Sequence, residues 1–501
     1  MKYHLLTGAT GLLGRYLIRD LTLADVPLAV VVRGSRFESA AQRIETAMAY
    51  WEAELGRALI RPVVLEGDIT KPGLGMSPAD QAWVAQNCEA IVHSAASLTF
   101  YADEEEGPDG EPWWSNIQGT QNVLDLCREA GIRQLHHVST AYVCGRRRDV
   151  IREDEVDVGQ TPSNDYESSK LTAEKAVRSA DFLDVLTVHR PSIIVGDAQT
   201  GFTVSYHGFY TPLRLVHALA SSVTWDMFIQ TDFLGALKLD GSERKNLVPV
   251  DWVSAAMTEV IKRPELHGKT YHFTNPKPAT VADMLGAMAS MVVALARTED
   301  PSEASKNLSI EEIGGNFRDQ MGVYQSYWSD DPSFDSTNTE QALPYLPCPP
   351  VNDEMMDRLI AFALEKNFGW PREASAKIKF PIAEELAPWL ASAAGLANGS
   401  GDRRYVSLQI SGSGGGQWHM IVDHGRLVGV GAGLQNGDSP TCYLNSDTFT
   451  RLTRGELSWE SALQSGRLVT TGHAASSEQL ARCFHDLASS TCSDTTNNCA
   501  N

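Results

Sequence analysis

Along residues 1 to about 275, short apolar runs alternate with stretches of helical periodicity. That alternation predicts a parallel sheet with helices packed on both faces. Strands are predicted at 3–6, 28–32, 63–66, 90–93, 134–138 and 184–189, with amphipathic helices between them at 40–59 and 119–130. From about 275 to 371 the pattern is mixed, helical at 281–296 and 352–365 around a polar stretch at 326–340. A composition shift at 373–381 reads as a linker. Beyond it an apolar helix is predicted at 383–396, followed by alternating strands at 404–410 and 417–423. The glycine-rich residues 411–416 between those strands read as a hairpin turn rather than a phosphate loop. Further strands at 426–431 and 441–445 and helices at 446–454 and 459–464 complete this region. The polar tail, 489–501, is expected to be disordered. No internal repeat is visible.

Length and composition narrow the class. A chain of 501 residues exceeds one core and implies two to four domains. With 43% hydrophobic residues but no run of eighteen apolar positions, no transmembrane segment is expected. A net charge of −21 argues against a nucleic-acid partner, which would require clustered Lys and Arg. The eight cysteines, at 88, 127, 144, 348, 442, 483, 492 and 499, form no CxxC pair, and His424 and His473 lack spaced partners. No metal site is therefore expected. The first strand begins near Lys2 and leaves no room for a signal peptide, so the expectation is a cytoplasmic protein with reduced thiols.

The first predicted strand runs into Thr7-Gly8-Ala9-Thr10-Gly11-Leu12-Leu13-Gly14 and then a helix. Glycines there allow a tight turn and close backbone approach, so that a dinucleotide pyrophosphate can sit on the helix N-terminus. The second strand ends in Arg33-Gly34-Ser35-Arg36. It lacks the acid that would bind a free ribose 2′-hydroxyl. Arg33, aided by Arg36 or Arg43, is suited to a 2′-phosphate, which favours NADP(H) over NAD.

Tyr166 and Lys170 are four residues apart at the start of a predicted helix, on one face. An ammonium beside a phenol stabilises the phenolate and lowers a pKa otherwise near 10. Thr140 ends the fifth strand, at the carboxyl edge where such sheets bind ligands.

On these motifs residues 1 to about 370 resemble the extended short-chain dehydrogenase/reductase family. TGATGLLG is similar to its glycine motif, and Gly67-Asp68-Ile69 to its adenine-contacting segment. His93-Ser94-Ala95-Ala96 resembles its fourth-strand motif. Asn116, Ser139, Thr140, Tyr166, Lys170 and Arg190-Pro191-Ser192 follow in the family's order, and Asp251 falls in its downstream motif as a structural residue. The resemblance implies that Asp68, Ile69, Ser94, Ala95, Ala96, Asn116, Ser139 and Pro191 line the cofactor site. It also implies that Thr140, Tyr166 and Lys170 are catalytic.

The stretch from Gly67 to Ser77 and the run His136-His137-Val138-Ser139-Thr140-Ala141-Tyr142-Val143 look like those of thioester reductases and fatty acyl-CoA reductases. Those branches reduce an acyl thioester with NADPH. The implied chemistry is hydride transfer to a carbonyl carbon, with Thr140 and Tyr166 bonding the oxyanion and Tyr166 supplying the proton. Lys170 would hold the nicotinamide ribose. An acidic insertion at 101–114 departs from the pattern. Arg146-Arg147-Arg148 reads as a solvated loop balanced by Glu153, Asp154 and Glu155, with coenzyme A or phosphopantetheine phosphates as the alternative ligand.

Residues 382–488 resemble a sterol carrier protein type-two-like domain, on Val406, Gly416-Gln417-Trp418, Phe449, Leu452, Gly455-Glu456-Leu457 and Gly466-Arg467-Leu468 among others. The stripe Phe449, Leu452, Leu457, Trp459, Leu463 and Leu468 reads by itself as core. The expected fold class is α/β, a Rossmann doubly wound parallel sheet with a substrate-binding extension, followed by a separate α+β lipid-binding domain. Its divisions are 1–372 (substrate part mainly 197–247 and 276–372), a linker at 373–381, 382–488, and the tail.

Three functions remain open on this reading. The first is an NADPH-dependent reductase of a lipid-like acyl thioester, bound to coenzyme A or an acyl-carrier protein. The second is a hydroxysteroid- or ketolipid-type dehydrogenase. The third is an NADP-sensing lipid-binding or transfer protein. A lipid module leaves room for transient membrane contact; oligomeric state is not legible.

Overall fold

The computed structural model describes residues 2–101, 107–220, 232, 234–235, 238–296, 315, 329–370, 403–412, 415–423, 426–435 and 440–471. The chain divides into two compact units, one of residues 1–35 and 63–373, the other of residues 36–62 and 374–501. Residues 36–62 thus fall in the same unit as the C-terminal residues. The predicted linker, the helix at 383–396, the tail, His424 and His473 lie outside the described residues.

The order along the first half is β1 (Tyr3–Thr7), α1 (Leu12–Leu23), β2 (Leu28–Val32), α2 (Ala40–Leu55), β3 (Val63–Glu66), α3 (Pro78–Asn87), β4 (Cys88–His93), α4 (Gly119–Ala130), β5 (Gln134–Val138), α5 (Asp165–Arg178) and β6 (Val185–Pro191). The helix predicted to 59 stops at Leu55, because Gly56 takes a left-handed conformation (φ 62°) that ends it.

Seven strands make the first unit's sheet in the order β10–β6–β5–β4–β1–β2–β3, with β10 at Thr270–Phe273. Every pairing is parallel. All five residues of β2 are buried, which is why these strands read as continuous apolar runs rather than alternating ones. Strand order reverses at β1, between β2 and β4. A crevice forms at such a switch point, beyond the carboxyl ends of the strands.

The extension holds β7 (Ile193–Val195), α6 (Tyr210–Ala220), β8 (Arg244–Lys245), β9 (Leu247–Pro249), α7 (Val250–Ile261), β11 (Ala279–Thr280), α8 (Val281–Ala296), α9 (Thr337–Ala342) and α10 (Asp353–Glu365). β7 pairs with β9 and β8 with β11. Phe209, Leu213, Met284, Met288, Met355 and Leu359 are part of its separate apolar core.

The second unit has a mixed five-stranded sheet of β12 (Arg403–Ser411), β13 (Gly416–Asp423), β14 (Arg426–Ala432), β15 (Thr441–Asn445) and β16 (Leu468–Thr471). Their order is β14–β13–β12–β15–β16, with β12 and β15 parallel and the rest antiparallel. The β12–β13 pairing across 411–416 is that of a hairpin. Val406, Leu408 and Ile410 join a core with Phe449 and Leu452 of α11 (Ser446–Thr453) and Trp459 of α12 (Trp459–Gln464). The alternate residues Ser407, Gln409 and Ser411 are buried as well. Gln409 donates to Glu45 at 3.2 Å, and the Ser411 hydroxyl donates to Glu52, both on α2. Glu52 is 2% exposed and would be costly unpaired, but Arg61 and the Leu59 amide also donate to it. The polar face of β12 is thus matched to a helix that the sequence places between β2 and β3.

Candidate active site

The glycine-rich turn occupies the switch point. Gly8 has φ +77°, and a Cβ there would lie 2.6 Å from the Ala95 nitrogen; at Gly14 it would lie 2.0 Å from the Gly8 carbonyl oxygen. Neither position admits a side chain, so the turn is held tight against the loop after β4. Gly11 is the exposed N-cap of α1 and supplies no side-chain cap. The leading amides of the helix, from Leu12 and Leu13, therefore have no capping side chain, which is the arrangement that accepts a phosphate. The residues present fit a dinucleotide pyrophosphate. Thr10 beside them accepts from Arg15 through its carbonyl at 3.2 Å.

Arg33 and Asp68 meet at the ends of β2 and β3, with Arg33 Nη1 3.7 Å from Asp68 Oδ2. Burial works against the Asp68 carboxylate, yet the Thr70 amide and hydroxyl, with Arg33 and Lys71, hold its pKa below the usual range. A cation, not an acid, stands at the end of β2. Arg36 and Arg43 belong to the second unit. Ile69 accepts from the Asn122 side chain through its carbonyl at 2.7 Å, while Ser94 and Ala95 are partly buried and Ala96 exposed.

Tyr166, Ser169, Lys170 and Glu174 rise from α5, whose start is capped by Asn164. The Asp165 amide donates to the Phe100 carbonyl at 2.9 Å, and the Phe100 and Tyr166 rings meet edge to face at 6.1 Å. Thr140 is buried, and its hydroxyl favours the ionised form of the Tyr166 phenol. Burial raises that phenol to about 12, against the lowering from Thr140. The phenol therefore stands above its ordinary value, not below it as the Tyr166–Lys170 spacing implied. Burial also pulls Lys170 down to about 8, opposed by Glu174. Its ammonium donates to the Val138 carbonyl at 2.7 Å. Pro191 closes the group, 3.4 Å from the Thr140 hydroxyl through its carbonyl.

Asn116 sits in a π-helical turn, Trp114–Gln118. Its Oδ1 accepts from the Ser97 amide at 2.8 Å, and its Nδ2 donates to Ser169 Oγ at 2.9 Å. Ser139 lies close by, but its hydroxyl donates to Glu174 at 2.6 Å and so serves the buried ion pair. Glu174 also takes Arg190 (2.6 Å) and Arg178 (2.8 Å), and both it and Arg190 are fully buried. Breaking such a pair by removing one partner costs roughly 3–5 kcal/mol. Glu174 escaped the sequence reading, although it continues the 166–170 spacing by one further turn.

Asp331 was also missed. It accepts from Tyr142 at 2.6 Å and pairs with the buried Lys245 at 2.8 Å. Sequence separations of 86 and 189 residues hid both contacts. Asp251 accepts from the Ala198 amide, in keeping with a structural role. Of the acids expected to balance 146–148, only Glu155 does so, holding Arg147 together with Asp149. Glu153 instead turns inward to the His272 and Asn338 amides.

The nonribosomal peptide synthetase asaC of Aspergillus flavus is 27% identical over 300 residues, covering 56% of this chain and 26% of that protein. The putative fatty acyl-CoA reductase CG8306 of Drosophila melanogaster is 33% identical over 149 residues, 28% of each chain. The chain thus spans about a quarter of the length of these two relatives. Among solved structures, the terminal R domain from the myxalamid PKS-NRPS biosynthetic pathway superposes with a TM-score of 0.56 at 25% identity, covering 74% of this chain and 93% of that one. A family model described as "Male sterility protein" matches residues 6–257, half of the chain. With its parallel sheet and glycine-rich switch point, the protein belongs to this NAD-binding family, of the extended short-chain dehydrogenase/reductase type.

Proposed function

We propose that the protein is an NADPH-dependent reductase of a lipid-like acyl thioester, presented on coenzyme A or an acyl-carrier protein, to an aldehyde or alcohol. The observation that carries this reading is the gathering of Thr140, at the carboxyl end of β5, with Tyr166 and Lys170 at the start of α5, Lys170 donating to the Val138 carbonyl of that strand, in a sheet whose switch point holds the glycine-rich turn. Names among the relatives, a fatty acyl-CoA reductase and a synthetase R domain, support a thioester over a sugar. Arg33 at the end of β2 supports a 2′-phosphate. In this reading the C-terminal unit is the lipid-holding part.

The dinucleotide, when bound, supplies the hydride. Gly8 and Gly14 keep the turn tight, and Gly11, without a capping side chain, leaves the α1 amides open to its phosphates. Thr140 and Tyr166 bond the carbonyl oxygen as negative charge builds on it, and Tyr166 gives up its proton. Lys170 keeps a positive charge near the phenol as the proton leaves. Collapse of a hemithioacetal then releases thiol and aldehyde.

The direct test is NADPH oxidation with palmitoyl-CoA, with thiol release followed in parallel. Matched rates support thioester reduction. Turnover only with a keto-lipid, or with a long-chain alcohol and NADP+, moves the assignment to the dehydrogenase class.

A pH profile adds a second expected result. Lys170, at about 8, is mostly protonated at pH 7 and loses its charge as pH rises through 8, while Tyr166 stays protonated to about 12. Reduction is therefore expected to fall tenfold per unit above about pH 8 and to be level just below it. A profile flat to pH 10 would remove Lys170 from the chemistry.

A further inference from the structure

The hydrogen bonds around His93 can run in only one direction. Thr120 has a single hydroxyl proton and gives it to the Asn116 carbonyl at 2.7 Å. Its oxygen must then accept from His93 Nε2, 3.1 Å away. The ring is 1% exposed, and burial, with the charge of Lys170, lowers it to about 3, so it is neutral with its one proton on Nε2. His93 Nδ1 accordingly accepts from the Thr7 hydroxyl at 2.8 Å. Thr7 in turn accepts the Ala95 amide at 3.2 Å.

The two ends of this chain serve different parts of the site. At one end Thr7 precedes Gly8 and holds Ala95, the residue whose backbone Gly8 touches. At the other end the Asn116 side chain clamps Ser97 and donates to Ser169, which donates to the Tyr166 carbonyl at 2.8 Å. The geometry points to His93 as a positioning residue that couples the glycine-rich turn to the catalytic helix, Nδ1 serving the turn and Nε2 the helix. This assignment rests on the turn being the NADPH site.

Each nitrogen can be removed separately. His93→Asn places an amide oxygen near the Nδ1 position, keeping Thr7 and losing Thr120. His93→Gln reaches the Nε2 position, keeping Thr120 and losing Thr7. NADPH affinity is read by fluorescence, and the order of α5 by hydrogen–deuterium exchange of the peptide holding Tyr166 and Lys170. His93→Gln is expected to weaken NADPH binding about 5–10-fold, the scale of one hydrogen bond, with exchange unchanged. His93→Asn is expected to leave the NADPH Kd within about twofold while speeding exchange about 5–10-fold and lowering kcat rather than raising KM for NADPH.

Thr120→Val, which deletes one hydroxyl, should repeat the His93→Asn pattern and stands in if a histidine variant does not fold. If every variant moves both readouts together, or moves neither, His93 only fills space and the proposal fails. Affinity and exchange require no substrate. A wild-type protein that binds NADPH but reduces no thioester would overturn the reductase reading alone, whereas one that binds no NADPH would overturn both.

Discussion

Tyr166→Phe is expected to lower turnover with palmitoyl-CoA by roughly 10²–10⁴-fold, the range typical of losing a positioned general acid. The substitution is small in every other respect. The ring keeps its edge-to-face contact with Phe100, and the Thr140 oxygen keeps the Tyr142 amide at 3.3 Å. The hydroxyl being deleted is the group that burial keeps protonated up to about 12. NADPH affinity, measured by fluorescence, and the thermal midpoint should both stay close to wild type. A variant retaining a tenth or more of wild-type kcat would show that the proton comes from elsewhere. One that lost NADPH affinity in parallel would show that Tyr166 is mainly a binding residue.

The second large effect concerns acid. His93, His136, His137, His189 and His272 are all buried to 1% exposure or less. Burial holds His93 and His189 at about 3 and His272 at about 4, and keeps His136 and His137 well below their ordinary value. A base whose folded pKa is depressed contributes no penalty above its unfolded value of about 6.5, and each destabilises the fold by about 1.4 kcal/mol per pH unit below it. At pH 5 that is about 2 kcal/mol each for His93, His189 and His272, and His136 and His137 act in the same direction.

Two carboxylates oppose this most strongly, Asp251 being raised by burial as well. Glu153 at about 7 and Glu167 at about 6, both raised by burial, take up protons in the folded state first and so return stability as pH falls. Five rings outweigh these carboxylates. The expected loss between pH 7 and 5 is several kcal/mol, comparable to the whole stability of many domains. Urea midpoints followed by far-UV circular dichroism should fall steeply below about pH 6. His137 makes a specific case, since neither of its ring nitrogens has a hydrogen-bond partner among the described residues. His137→Leu should therefore shift the acid transition downward by a few tenths of a pH unit or more. Stability level from pH 7 to 5 would contradict both statements.

Local signals carried much of the architecture. The apolar run of β2 needs no distant partner to be recognised, because a strand buried on both faces favours apolar residues along its length; β5, QLHHV, is buried with two histidines in it and was legible by its place in the alternation instead. The glycine-rich turn and the Tyr166–Lys170 spacing are likewise local, since each is imposed by a few consecutive backbone angles. Thr140 could be placed at the sheet edge by counting from its strand.

Other features required the assembled fold. No periodicity distinguishes α2 as a partner of β12; what decides is that Glu45 and Glu52, both paired with Arg61, accept from the buried Gln409 and Ser411, 364 and 359 residues later. Asp331 lies in a stretch that reads as polar surface, and it is buried only because Tyr142, Lys245 and the Asn246 amide converge on it. His93 looked like one letter of a motif. Its single-proton form follows from where Thr120 sends its hydroxyl, a choice made by the π-helical turn at Asn116. Periodicity reports which face of an element is buried, whereas the identity of a buried polar partner depends on which elements the fold brings within 3 Å.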